Sequence, residues 1–388
     1  MASPDYATDL DDFLKVVDRL PFLGSLKRDL TTLRRLLYDR RPPRIAALRA
    51  PDSGATALAN ALLGAHALGP DAVAPVPEAG SWVTIDADGR RMQWLELPLD
   101  ADVETLRDLA RPAFEEHRPD LVLLVVPLGH HEWAQPLAKE AVPAVRALLS
   151  EGDDKAPAVV VVMSQAERAE PVELKTPPYD AAKTQAIGLA LADLRKALAS
   201  LKLDEGAFLA VAAPPSGAIQ DRPVRWHVEE LSDAIIPRLP ESAQLEAVRA
   251  LAVTREGRRE VARRLVNAAS AIGITVGLAP VPFADVFALL PLQVGMVTGV
   301  AYLSGRPWDR SAALEYLASL GVTGGAGLGL RWSARQLLKL VPGAGSLISA
   351  GFAGAGTLAI GRGAIAYFID GPGVLSQRRE LRAENPRA

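Results

Sequence analysis

Two runs of sequence, Leu121 to Val126 and Ala158 to Met163, are apolar without interruption. A strand with one wet face alternates apolar and polar residues. An unbroken run this short therefore predicts a strand buried on both sides, as in the middle of a parallel sheet covered by helices. Four more strand-like runs accompany them, RIAAL, SWVTIDA, MQWLEL and AFLAVAA. The stretches between carry apolar residues at helical spacing: Val103 to Glu116, Ala134 to Ser150, Asp180 to Leu201 and Val224 to Ile236. Alternating strands and helices predict a doubly wound α/β domain over residues 43–240, a mostly parallel sheet flanked by helices.

The flanks read differently. Residues 9–37 hold apolar positions at helical spacing broken by Pro21 and Gly24, which predicts an N-terminal helical hairpin within residues 1–42. Its end is basic (Arg34, Arg35, Arg40, Arg41, Arg44), a pattern more typical of a solvated helix face than of a binding patch. Beyond Pro240 a charged helix, Glu241 to Val266, leads into three apolar stretches rich in small residues: Ala268 to Leu278, Val286 to Leu303 and Gly343 to Ile369. They predict an all-α hydrophobic bundle over residues 241–375, followed by a tail at 376–388. Small residues at this density allow close helix contact, in a bilayer or in a tight bundle, and the pattern leaves both open.

Composition narrows the chemistry. With 43 basic and 46 acidic residues the net charge is -3, which gives no general argument for nucleic acid as a partner. The absence of cysteine removes disulfides, thiolate nucleophiles and cysteine metal sites. The acidic N-terminus lacks a basic start followed by an apolar run, so the expectation is a cytoplasmic chain. His130, His131 and Glu132 follow a strand, but neither an H-E-x-x-H spacing nor a third ligand accompanies them. Asp86, Asp88, Asp100 and Asp102 are explained more simply by turns than by paired acid and base catalysis. No catalytic residue is assigned.

The first strand, Ile45 to Leu48, runs into the turn Arg49-Ala50-Pro51-Asp52-Ser53-Gly54-Ala55-Thr56 and then a helix carrying Leu58, Leu62 and Leu63. A phosphate-binding loop has this layout, with the pattern G-x-x-x-x-G-K-[ST]. Gly54 and Thr56 stand in register, whereas Arg49 takes the first glycine position and Ala55 the lysine position. Together with Asn60-Ala61-Leu62-Leu63-Gly64, the segment resembles the opening of the Era-like bacterial GTPases.

That resemblance implies further motifs, and each is altered. Where such GTPases end the third strand with D-x-x-G, this chain has Glu96, Leu97, Pro98 and Leu99; where they read guanine with [NT]-K-x-D, it has Ser164, Gln165, Ala166 and Glu167. Val211-Ala212-Ala213 stands at the serine-alanine motif that closes the sixth strand. The resemblance thus implies a degenerate nucleotide site of Asp52, Ser53, Gly54, Ala55, Thr56, Glu96, Ser164, Gln165 and Glu167, with Thr56 and Glu96 as ligands if magnesium is bound. Losing the lysine removes a charge that neutralises phosphate, Arg49 obstructs the close approach that glycine permits, and Glu167 meets a base at the wrong depth. GTP or GDP with magnesium would bind weakly, and no cofactor is required.

The stretches Gly277 to Gly305 and Arg335 to Phe368 resemble a hydrophobic helical domain that follows the G domain in many Era-like GTPases and recurs in a family of bacterial inner-membrane proteins. The P-x-P-x-A-D, L-Q-x-x-M, P-G-x-G-S and Y-F motifs stand in order. Together the resemblances imply a pseudo-GTPase that acts as a scaffold or regulatory interaction protein. It would dock on the inner face of the cell membrane, or on a hydrophobic partner protein, through residues 268–369. A weak or atypical GTP-binding hydrolase and a soluble oligomeric structural protein are the alternatives.

Overall fold

The structure is a computed structural model that describes residues 24–69, 72, 74–87, 89–149, 156–174, 176–213, 225–278, 284–309, 311–313, 315–316 and 345–371. The first helix of the expected hairpin, Asp88, and the tail at 376–388 lie outside the described residues. In chain order the elements are α1 (Gly24–Leu37), β1 (Arg44–Arg49), α2 (Ala55–Leu63), β2 (Val83–Ala87), β3 (Arg90–Pro98), α3 (Val103–Glu116), β4 (Leu121–Pro127), α4 (Val142–Leu149), β5 (Ala158–Ser164), α5 (Ala181–Ala197), β6 (Phe208–Ala210), α6 (Val228–Ile235), α7 (Glu241–Ala250), α8 (Arg255–Leu278), α9 (Ala284–Leu303) and α10 (Gly345–Ile365).

The chain divides into two compact units, Arg41–Thr254 and Met1–Arg40 with Arg255–Ala388. These limits differ from the sequence division at 42/43 and 240/241. The charged stretch expected as one helix is interrupted after Ala250, because the Ala252 N–H donates to the Leu62 carbonyl (2.6 Å) and the Thr254 N–H to Asp233 Oδ1 (3.3 Å). Helix α7 consequently packs with β3 in the α/β unit, and α8 starts the other unit.

The α/β unit contains one six-stranded sheet in the order β2-β3-β1-β4-β5-β6, parallel except for the edge strand β2. All seven residues of β4 and six of the seven in β5 are buried, as their uninterrupted apolar sequence requires. Ile45 of β1 stands between Trp94 of β3 and Leu121 of β4. Expected helix Ala134 to Ser150 is broken into Ala134–Pro136, a π-helical turn Leu137–Ala141 and α4. Pro136 and Pro143 lack the N–H that a regular helix needs. Asp102 caps α3 by accepting from Thr105 N–H (2.8 Å), and Asp86 holds the β2–β3 turn by accepting from Gly89 N–H (2.9 Å).

In the helical unit α8 packs on α1, α9 and α10. Glycine makes this approach possible: a Cβ at Gly361 would lie 2.5 Å from Val266 Cγ1, and one at Gly299 2.5 Å from Leu265 Cδ2. Arg259, Arg263 and Arg264 on α8 pair with Glu256, Glu260 and Asp370, which makes that face a solvated, ion-paired one. Arg40 lies 3.8 Å from the ring centre of Trp308 and donates from Nε to the Leu37 carbonyl (3.0 Å). Among the described residues, no helix is long and apolar enough to cross a membrane.

Candidate functional site

From β1 the chain passes to β2 and β3 on one side, then crosses to β4 on the other. Such a reversal opens a crevice at the carboxyl ends of the central strands, where open α/β sheets bind ligands. The segment that leaves β1 there is the loop singled out in the sequence. Asp52 and Gly54 have left-handed backbones, φ 52° and φ 72°, and α2 starts directly after them with no side-chain cap. The left-handed turn costs little at glycine, and no side chain caps the first N–H groups of α2. At the far end Gly64 closes α2 in the same conformation, and the Asn60 side chain folds the following chain back by accepting from the N–H groups of Ala67 (2.9 Å) and Leu68 (2.7 Å).

Glu96 dominates the electrostatics of this crevice. Its side chain is only 4% exposed, with two hydrogen-bond donors and one guanidinium around it. Thr56 Oγ1 donates to Oε1 at 3.0 Å, and Trp94 Nε1 donates to the same oxygen at 3.1 Å. Arg49 Nε stands 2.7 Å from Oε2, within ion-pair distance although its N–H is not directed along that line. The parallel register explains the meeting: Arg49 and Glu96 lie on adjacent strands, two positions apart along the pairing. Next to them the Leu99 N–H donates to the Arg49 carbonyl (3.0 Å), and the Leu99 side chain is buried in the core over β1 and β3.

The loop after β5 closes the other side. Gln165 has a left-handed backbone, and its Nε2 donates to the Asp52 carbonyl. Ser164 is buried and donates weakly to the Val126 carbonyl (3.4 Å). Ser53 Oγ is buried with no partner, as is Glu167 Oε2. Burial pushes the Glu167 carboxyl above its ordinary range, and burial together with the Glu167 charge pushes Tyr179 up to about 12. The loop residues thus meet in two separate contacts, Thr56 with Glu96 and Gln165 with the Asp52 carbonyl; Ala55 is a buried helix residue offering no charge.

Sequence reasoning missed Trp94 as a partner of Glu96, and it missed Lys183, whose side chain is buried beside Glu167. The lysine carries a faint signal, since it stands three residues after the cap Asp180 on a helix with few other charges. His130 Nδ1 bonds to Glu132 (2.8 Å) on an exposed loop, and the described residues hold no cluster of three or more histidine, aspartate or glutamate groups fit for a metal. The basic cluster is held internally in part: Arg41 forms a bidentate pair with Asp120, and Arg44 Nε donates to Gln93 (2.8 Å).

The fold and site thus define an α/β unit with a mostly parallel sheet and a crevice over β1, joined to a helical unit. No family model matches the chain. Over 122 residues, 30% of the chain, it is 32% identical to magnetosome membrane protein 22 of Magnetospirillum gryphiswaldense. The chain spans 61% of that relative's length.

Proposed function

We propose that this chain is a P-loop GTPase-like protein of Era-like ancestry that has given up nucleotide hydrolysis, a pseudo-GTPase whose α/β unit is a scaffold. Its helical unit docks on the cytoplasmic face of a membrane or on the apolar surface of a partner protein. The observation that carries the reading is the closed set Arg49, Glu96 and Thr56. In a working site of this kind the carboxylate and the hydroxyl would face magnesium and the lysine would face phosphate. Here a guanidinium stands against the carboxylate, the hydroxyl donates to it, and Ala55 supplies no charge.

The residues do not fit a magnesium nucleotide. Glu96 already has a cation at 2.7 Å, and the Leu99 N–H, at the position where a switch would answer the last phosphate, is engaged by the Arg49 carbonyl. The strand order, with β1 at the reversal and a loop leading into α2, supports the GTPase-like ancestry. The relative's name, a membrane protein, supports docking at a membrane; the tight glycine contacts of α8 with α10 support packing of the small-residue faces within the chain. A second reading, a weak and atypical GTP hydrolase, is favoured by the left-handed Gly54 and the uncapped start of α2.

Three measurements test the proposal. Protein purified under native conditions, then denatured, should release no stoichiometric guanine or adenine nucleotide, and it should not turn over GTP. Saturable turnover abolished by Glu96→Gln would sink the scaffold reading in favour of the hydrolase. Flotation with vesicles of phosphatidylethanolamine and phosphatidylglycerol tests docking separately: recovery with the vesicles supports a membrane, and a detergent-free oligomer that stays behind opposes it.

A further inference from the structure

Lys183 is a wholly buried cation: its side chain, on the first turn of α5, is 0% exposed. It makes no ion pair among the described residues. Instead its Nζ donates to three backbone carbonyls, those of Glu167 (2.6 Å), Ala169 (2.8 Å) and Pro171 (3.2 Å). The ring of Tyr179 covers a further side, with its centre 5.0 Å from the nitrogen.

An ammonium has three protons, and here each has a carbonyl. The chain after β5 makes this possible. From the left-handed Gln165 it enters a short 3-10 turn, Ala166–Arg168, and continues so that alternate residues turn their carbonyls to one point. Without a cation at that point the buried Ala169 carbonyl and the part-buried Glu167 carbonyl would lose the donor that Lys183 gives them, a loss native structures avoid. Burial holds the Lys183 ammonium below its ordinary range, and the nearby acidic side chains Glu167, Glu170, Asp180 and Glu173 offset this only in part.

We infer that the Glu167, Ala169 and Pro171 carbonyls and the Tyr179 ring form a site for a monovalent cation or a small primary ammonium, which the chain fills with its own Lys183. Inorganic cations and ammonium ligands are recognised by the same groups, carbonyl oxygens and aromatic faces. The built-in occupant fixes the segment that begins at Gln165, and Gln165 reaches across the crevice to the Asp52 carbonyl. One wall of the crevice is thereby set by the chain itself, with no ligand needed to order it. This inference stands apart from the question of nucleotide hydrolysis.

Chemical rescue in the full-length protein tests it. Lys183→Ala removes everything beyond Cβ, and propylammonium restores the missing carbons and nitrogen. In tetramethylammonium chloride the variant should melt well below the wild type. Propylammonium chloride at equal ionic strength should recover at least half of that loss with saturation, and should leave the wild type unchanged. Recovery by n-propanol to the same extent, or no recovery in a folded variant, overturns the proposal, because the lysine would then fill space rather than a cation site. Should the alanine variant be recovered unfolded, Lys183→Met decides. Backbone amides at 166–170 should exchange at least tenfold faster in it, with β4 unchanged; protection equal to the wild type contradicts the site.

Discussion

Arg49 Nε stands 2.7 Å from Glu96 Oε2, so the last residue of β1 neutralises a carboxylate that is only 4% exposed on the neighbouring strand. A buried carboxylate needs such a partner or must remain protonated. In this crevice that partner is supplied by the adjacent strand of the same sheet.

Replacing Arg49 with methionine keeps most of the stem and removes the charge. Glu96 then keeps Thr56 and Trp94 as donors, so the loss is that of one charged contact, about 1–3 kcal/mol of unfolding free energy. The figure lies toward the low end because Arg49 is about a third exposed (32%) and water screens it. Urea unfolding of Arg49→Met and of the double variant with Glu96→Gln checks this: the second substitution should recover part of the loss, and strict additivity would deny that the two groups interact.

Two glycines of α10 predict opposite outcomes for the same substitution. A Cβ at Gly361 would lie 2.5 Å and 2.6 Å from the Val266 methyls and 3.0 Å from Met296 Sδ, so Gly361→Ala should cost about 1–3 kcal/mol by overpacking. Gly356 has nothing within 4 Å, and Gly356→Ala should add up to about 1 kcal/mol from helix propensity. Thermal unfolding followed by far-ultraviolet circular dichroism separates the two. Equal shifts of the same sign would contradict the packing of α8 with α10.

Tyr179 sets an alkaline limit on stability. Burial, and then the Glu167 charge, raise its pKa from the ordinary 10.0 to about 12. The unfolded chain releases this proton first, so the favourable contribution of the neutral phenol is complete below pH 10 and is lost as pH rises from 10 through 12. Wild type minus Tyr179→Phe should therefore show a stability difference that falls over that window and is flat between pH 7 and 9. A tyrosinate absorbance step near pH 10 that vanishes in Tyr179→Phe would contradict the buried placement.

The sheet was legible in the sequence because its signal is local. Unbroken runs such as Leu121 to Val126 can be satisfied only by burial on both faces, and all six expected strands are present. Helix α3 was legible to the residue from its apolar spacing, while Asp102, read there as a turn residue, is its cap. What escaped depends on partners distant in sequence. The break at Leu251 to Thr254 exists because Leu62 and Asp233 offer backbone and side-chain partners, which no local pattern announces. The crevice residues followed the same division. Thr56 and Glu96 stood out by position, but that Arg49 turns to Glu96, and that Lys183 turns inward to three carbonyls, follows from strand register and from the path of the loop after β5.

The most direct test of the central claim is calorimetric titration of the full-length protein with GTP, and with GDP, in the presence of magnesium, alongside the variant Arg49→Gly/Ala55→Lys, which restores the glycine and the lysine of a phosphate loop. The account predicts no saturable heat for the wild type up to millimolar nucleotide, and measurable binding in the variant once Glu96 and Thr56 are released to face a metal. Saturable micromolar binding by the wild type that is weakened when Arg49 is replaced would contradict it, because Arg49 would then serve the nucleotide rather than Glu96.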